Sequence, residues 1–153
     1  MTVLERLADL GISLPTPMPP VATYVPVVVT GHLVTVSGQL PAFDGKVAVT
    51  GTLGAGVTID EGQHAARLCL INVLAQLQAA LPGGLDSITR VIRLGGFIAA
   101  TPDFTQHAVV MNGASDLAVA VFGEVGRHAR STIGVASLPL DAAVEVEGTF
   151  WIG

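Results

Sequence analysis

Arg130 stands in Ala129-Arg130-Ser131-Thr132-Ile133-Gly134-Val135, a run of small and β-branched residues whose only charge is its own. A guanidinium stays ionised and offers a planar fork of donors matched to a carboxylate, so an arginine held beside strand ends can anchor a small acid. The competing reading is an ordinary solvated loop arginine. The stretch 131–138 reads as a strand, Pro139-Leu140-Asp141 as a turn, and 143–152 alternates again, with Val144 and Val146 against Glu145 and Glu147. Together they predict a hairpin with Arg130 at its mouth and Glu145 on the polar side of the last strand.

Other residue types capable of chemistry are sparse. His32, His64, His107 and His128 have no histidine or cysteine partner at i+3 or i+4, so they read as surface or packing residues and no metal site is expected. The glycines at 51, 54 and 56 lack a P-loop lysine and the spacing of a dinucleotide loop, and Ser37 sits in no nucleophile elbow. No cofactor is therefore expected. Cys69, alone in the chain, rules out an intramolecular disulfide and reads as a buried thiol in a helix, which fits a reducing compartment. Seven lysines and arginines against twelve acids give a net charge of −5, and the cations form no cluster, which argues against nucleic acid as a partner. Glu5, Arg6 and Asp9 interrupt the first apolar stretch, and no run of 18 uninterrupted apolar residues follows; the expectation is a cytoplasmic protein with no membrane partner.

The elements that must carry these residues are legible in part. Val3, Leu4, Leu7 and Leu10 predict a short helix, and the proline-rich 14–20 an extended connector, so that 1–20 forms an N-terminal attachment to a domain over 21–153. The runs 23–29 and 32–37 predict a hairpin, and 38–57 a long loop with a turn at Phe43-Asp44-Gly45-Lys46. Thr58 and Glu61 form a capping box before a long helix whose core face carries Ala66, Leu70, Val73, Leu74, Leu77 and Leu81. Residues 88–100 read as a strand in which Gly95-Gly96 marks a bulge or the close approach of a neighbouring subunit or a ligand. A second helix over about 104–122 has Val109, Val110, Leu117, Val121 and Phe122 as candidate core, interrupted at Asn112-Gly113. The order β-β-α-β-α-β-β is an α+β pattern, one mixed sheet with two long helices on one face. With half its residues apolar and only 12% charged, the chain is expected to bury surface in an oligomer.

Two ordered motifs then carry a resemblance. Ala129-Arg130-Ser131, an apolar strand, Leu138-Pro139-Leu140-Asp141-Ala142 and Val144-Glu145-Val146-Glu147 resemble the C-terminal signature of the reactive-intermediate deaminase family (Rid or YjgF, also labelled endoribonuclease L-PSP). Upstream, Leu33-Val34-Thr35-Val36-Ser37-Gly38-Gln39-Leu40-Pro41 resembles that family's Ser-Gly-Gln-x-Pro strand. The resemblance implies a chorismate-mutase-like fold, a homotrimer with clefts between subunits, and hydrolysis of enamines and imines of small 2-amino acids to 2-keto acids and ammonia. It implies Arg130 as carboxylate clamp and Glu145 as the orienter of the attacking water, with Tyr24, in Ala22-Thr23-Tyr24-Val25, and Asn112 lining the pocket. Thr132 stands where the family often has cysteine, and Gly134 where a larger polar residue is common. The alternative is a non-catalytic trimeric module that binds a small acid or keto acid. Chorismate mutase activity by fold analogy is weaker, because a dianionic substrate wants several cations and only Arg130 is placed by motif.

Overall fold

A five-stranded sheet in the order β1-β2-β9-β7-β8 organises the molecule. The computed structural model describes residues 1–17 and 22–153. Part of the expected connector, 18–20, lies outside these. In chain order the elements are α1 (Val3–Asp9), β1 (Val27–Thr30), β2 (Leu33–Gln39), β3 (Ala42–Phe43), β4 (Lys46–Val47), β5 (Thr52–Leu53), β6 (Gly56–Val57), α2 (Ile59–Ala80), β7 (Ile88–Ala99), α3 (His107–Phe122), β8 (Ala129–Val135) and β9 (Val144–Ile152). β7 and β8 run parallel, and the other neighbours in the sheet are antiparallel.

The hairpin expected at the C-terminal end does not form. β7 lies between β8 and β9, so the Arg130 strand is at the sheet edge and the Glu145 strand at its centre. The linker 136–143 is too long for a tight hairpin and long enough to cross the end of one strand, a step of roughly 10 Å between second neighbours. It is fastened as it crosses: the N–H of Ala100 donates to the Val135 carbonyl (3.1 Å) and that of Ala99 to the Ala143 carbonyl (2.9 Å). Within it, Leu140 and Asp141 adopt left-handed backbone angles, φ 57° and 59°.

Both long helices cover one face of the sheet. Alternation sends Val34, Val36, Leu94, Ile98, Val144, Val146 and Phe150 toward them, where they meet Leu70, Val73, Leu74 and Leu77 of α2 and Val110, Met111, Leu117 and Val121 of α3. Every core position expected on α2 is buried, and Thr58 caps the helix by accepting the Glu61 N–H at 3.1 Å. α3 begins at His107 and runs unbroken through Asn112-Gly113. There a β-carbon on Gly113 would strike the Gln63 carbonyl oxygen, so glycine lets the helix backbones touch. Val109 is 38% exposed, and Met111 and Ala114 are buried instead. With the turn after it, α3 is apolar and long enough to cross a bilayer by length and composition, yet its Val110, Met111, Leu117, Val121 and Phe122 are buried in this core.

No bulge falls at Gly95-Gly96. The register is regular there, and the irregularities fall between Ile88 and Arg90 and between Val91 and Arg93. Gly96 instead makes room for the Met111 thioether of α3. The stretch read as a long loop contains an antiparallel ribbon, β3–β4, turning at Asp44-Gly45, and a small parallel pair, β5–β6. At the N-terminus Thr2 and Glu5 complete a capping box on α1, and Val3 and Leu7 enter the same core as the sheet.

Candidate functional site

Arg130 pairs across the ladder with Leu94, and Thr132 with Gly96, so both point to the side covered by α3. The Arg130 NH1 donates to Asn112 Oδ1 (2.9 Å) and Ser115 Oγ (3.1 Å), and NH2 to the Ala108 carbonyl (3.2 Å). All three acceptors are neutral. Among the described residues the one ion pair is the exposed Arg127–Glu124 contact, so no carboxylate balances the Arg130 charge. The Gly126 carbonyl, which can only accept, takes a hydrogen bond from Nδ1 of His128 (2.6 Å). With that hydrogen on Nδ1, Nε2 is placed to accept from the Ser115 hydroxyl (2.9 Å), which leaves the lone pairs of Ser115 Oγ to Arg130. The fork is therefore aligned by a relay of hydrogen bonds while its charge stays unpaired with any described carboxylate.

Two features continue this row along β8. The Thr132 Oγ1 is buried with no hydrogen-bond partner, which in a native site calls for one. Gly134 leaves its space to the His107 imidazole, whose Nε2 lies 2.6 Å from where a β-carbon would sit; that ring meets Phe104 edge-on at 5.3 Å.

Glu145 is elsewhere. It pairs with Phe97, three residues along from Leu94, and so points to the face without helices. Its carboxyl packs over Gly38, 2.9 Å from the position of a β-carbon there. Burial raises its pKa above the ordinary range, and the neighbouring Glu147 carboxylate adds to the rise. Tyr24, 54% exposed, shares with Gly38 the wall of a cleft of about 280 Å³. Ser37 between them donates its hydroxyl to the Val25 carbonyl (2.9 Å) and so acts in the strand framework.

The fold thus brings Arg130, Asn112 and Thr132 together, and places Tyr24 and Glu145 each near Gly38, but it sets Arg130 and Glu145 on opposite faces of one sheet. Sequence reasoning missed Ser115 and His128. Ser115 was accessible, since it lies three residues after Asn112 on the same helix face. His128 carries no such signal, because its link to Ser115 depends on how α3 lies along β8.

A family model described as "YjgF/chorismate mutase-like, putative endoribonuclease" matches residues 4–147. Protein TCP17 of Trypanosoma cruzi is 51% identical over 146 residues, which cover 95% of this chain and 91% of that protein. The crystal structure of Atu1372 from Agrobacterium tumefaciens, a protein of unknown function, is similar at a TM-score of 0.93 and 48% identity, covering 99% of this chain and 92% of that one. E. coli TdcF, solved with bound serine, is similar at a TM-score of 0.65 and 26% identity, over 90% of this chain and 94% of that one.

Proposed function

We propose, because the chain belongs to the YjgF/chorismate-mutase-like family, that it is a hydrolase of enamines and imines derived from 2-amino acids, working in a homotrimer. The observation that carries this reading is the Arg130 guanidinium, held by three neutral acceptors and unpaired with any described carboxylate. A charge kept aligned but uncompensated is a preorganised anchor for a substrate carboxylate. The partnerless Thr132 hydroxyl on the same face supports a ligand there. Serine bound to TdcF is a small carboxylate-bearing ligand on the same fold.

Because Arg130 and Glu145 diverge within one chain, the reading requires a second copy to bring its Glu145 face to the Arg130 edge. The helix-free face suits that contact, since Val28, Leu33, Ile133 and Trp151 on it are all more than a third exposed. An enamine first takes a proton at carbon and gives one up at nitrogen to become the imine. Water then adds to the C=N carbon: a C–O bond forms, the π pair moves to nitrogen, and Glu145 of the neighbouring copy takes one proton from the water and passes it to that nitrogen, giving the carbinolamine. The hydroxyl then gives its proton through Glu145 to the departing nitrogen, the C=O bond forms as the C–N bond breaks, and ammonia and the 2-keto acid remain. The raised pKa of Glu145 suits it to carrying that proton in both directions. The balance involves no oxidant and no cofactor.

An amino-acid oxidase generating imines from a panel of amino acids provides the test. Added protein should accelerate keto-acid release, and Arg130→Ala should lower kcat/KM by roughly 10- to 150-fold, the worth of one charge-assisted contact. Lysine at 130 should restore only part, because a point charge lacks the bidentate fork. No acceleration by the wild type across the panel would refute the hydrolase, and full activity in Arg130→Ala would remove the anchor.

A further inference from the structure

We infer that the cleft beside Tyr24 and Gly38 is the pocket for the substrate's own side chain. It selects 2-imino acids whose side chain has several carbons and ends in an oxygen acceptor. The inference rests on the function proposed above and adds a substrate class to it.

Continuity is the first argument. Gly38 lines the cleft and lies directly under the Glu145 carboxyl, so the space opens beside the group that would handle the attacking water. The register shift between Val36 and Gln39 re-aims this end of β2, and glycine at 38 lets the Glu145 carboxyl lie close against the strand. Size is the second. A volume of about 280 Å³ is near the roughly 300 Å³ at which small-molecule pockets begin, far more than the methyl group of an alanine-derived imine fills.

Chemistry of the walls is the third. Pro26, Leu40 and Val47 offer apolar surface to a carbon chain. Asn72 of α2 spends its amide hydrogens on the Leu40 and Ala42 carbonyls, both at 3.0 Å, which fastens the β3 side of the cleft to the helix. The Gln39 amide in the lining is engaged, donating to the Ser37 carbonyl (3.0 Å) and accepting from Gln76 (3.5 Å), whereas Lys46, the chain's one lysine, makes no ion pair among the described residues. An apolar wall with an ammonium along it suits an aliphatic chain tipped by a carboxylate or amide oxygen.

Calorimetric titration of the assembled protein with pyruvate and 2-oxoglutarate reads this directly, without requiring turnover. 2-Oxoglutarate should bind about tenfold more tightly than pyruvate, the worth of one additional charge-assisted contact and its chain. Val47→Trp, which fills the cleft, should erase that preference. Should that variant fail to assemble, Ala42→Leu fills the same space with a smaller side chain. Lys46→Ala should weaken 2-oxoglutarate alone by about threefold, as for an exposed ion pair. Equal affinity for the two acids in the wild type, or a preference that survives the filled cleft, overturns the pocket. Binding of both acids that is lost in Arg130→Ala under those same conditions would show the anchor standing while the side-chain pocket falls. A wild type that binds neither acid would overturn both.

Discussion

Arg130 and Glu145 are opposite solutions to the same difficulty, a charge beside an apolar sheet. Arg130 is solvated by protein dipoles, with Asn112, Ser115 and the Ala108 carbonyl taking the place of water. Glu145 receives no such compensation: it is half-buried over Gly38, and its nearest charge of consequence, Glu147, has the same sign. This has a consequence for stability. Below the ordinary glutamate range, about pH 4.3, the carboxyl is protonated in both folded and unfolded chains and contributes nothing. As pH climbs toward the raised folded value, the unfolded chain releases its proton while the folded one retains it, so stability falls, and the penalty persists at neutrality. Glu145→Gln should therefore raise the urea midpoint at pH 7, by a gain under about 1 kcal/mol given the partial exposure. The gain should vanish at low pH. A glutamine variant that is less stable at pH 7 would show that the ionised carboxylate has a stabilising partner in the assembled protein.

At the scale of elements, what was legible in the sequence is what periodicity and caps encode. α2 announced itself through Thr58, Glu61 and an unbroken apolar stripe, and the first hairpin through β-branched runs around Gly31, whose φ is 61°. Strand order was not legible, because β8 and β9 alternate equally well beside each other or on either side of β7; only the length of 136–143 favoured a crossing. The same limit explains the site. The motif resemblance pointed to Arg130 and Asn112, which the structure joins, but the face that Glu145 occupies follows from a register with Phe97 that no local pattern contains. Glycines were misread for a related reason: a missing side chain signals close approach without saying of what. At Gly113 the partner is backbone, the Gln63 carbonyl, which cannot step aside. Gly113→Ala should lose about 1–2 kcal/mol, because overpacking against a backbone oxygen, at the upper end of the usual range (about 2–3 kcal/mol), outweighs a helix-propensity gain of about 1 kcal/mol. Gly62→Ala meets only the methyl ends of Val110 and Leu53, at 3.0 and 3.1 Å, and should be close to neutral. Denaturant midpoints of the two variants at equal slope compare them, and a Gly113→Ala protein as stable as the wild type would contradict the tight helix contact.

At the scale of the whole molecule, the sheet separates the two charged groups. One edge presents an arginine unpaired with any described carboxylate; the helix-free face presents a half-buried carboxylate and apolar residues including Ile133 and Trp151. The proposed ring of identical chains would bring the two together, because a heterologous contact between edge and face repeats until the rotation closes. If each working site takes Arg130 from one copy and Glu145 from the next, inactive variants should complement each other. Arg130→Ala chains still carry Glu145, and Glu145→Gln chains still carry Arg130. Mixing the two through reversible unfolding gives rings in which some junctions join a wild-type arginine to a wild-type glutamate. For random assortment at equal amounts, about one junction in four is restored around a cyclic assembly, so imine hydrolysis should recover to about a quarter of the wild-type rate while each parent alone stays near background. A site built within a single chain predicts no recovery at any mixing ratio. Light scattering on the same samples should report three chains per particle. Monomers that remain active would refute the shared site, whereas trimers that fail to complement would keep the assembly and remove Glu145 from the Arg130 site.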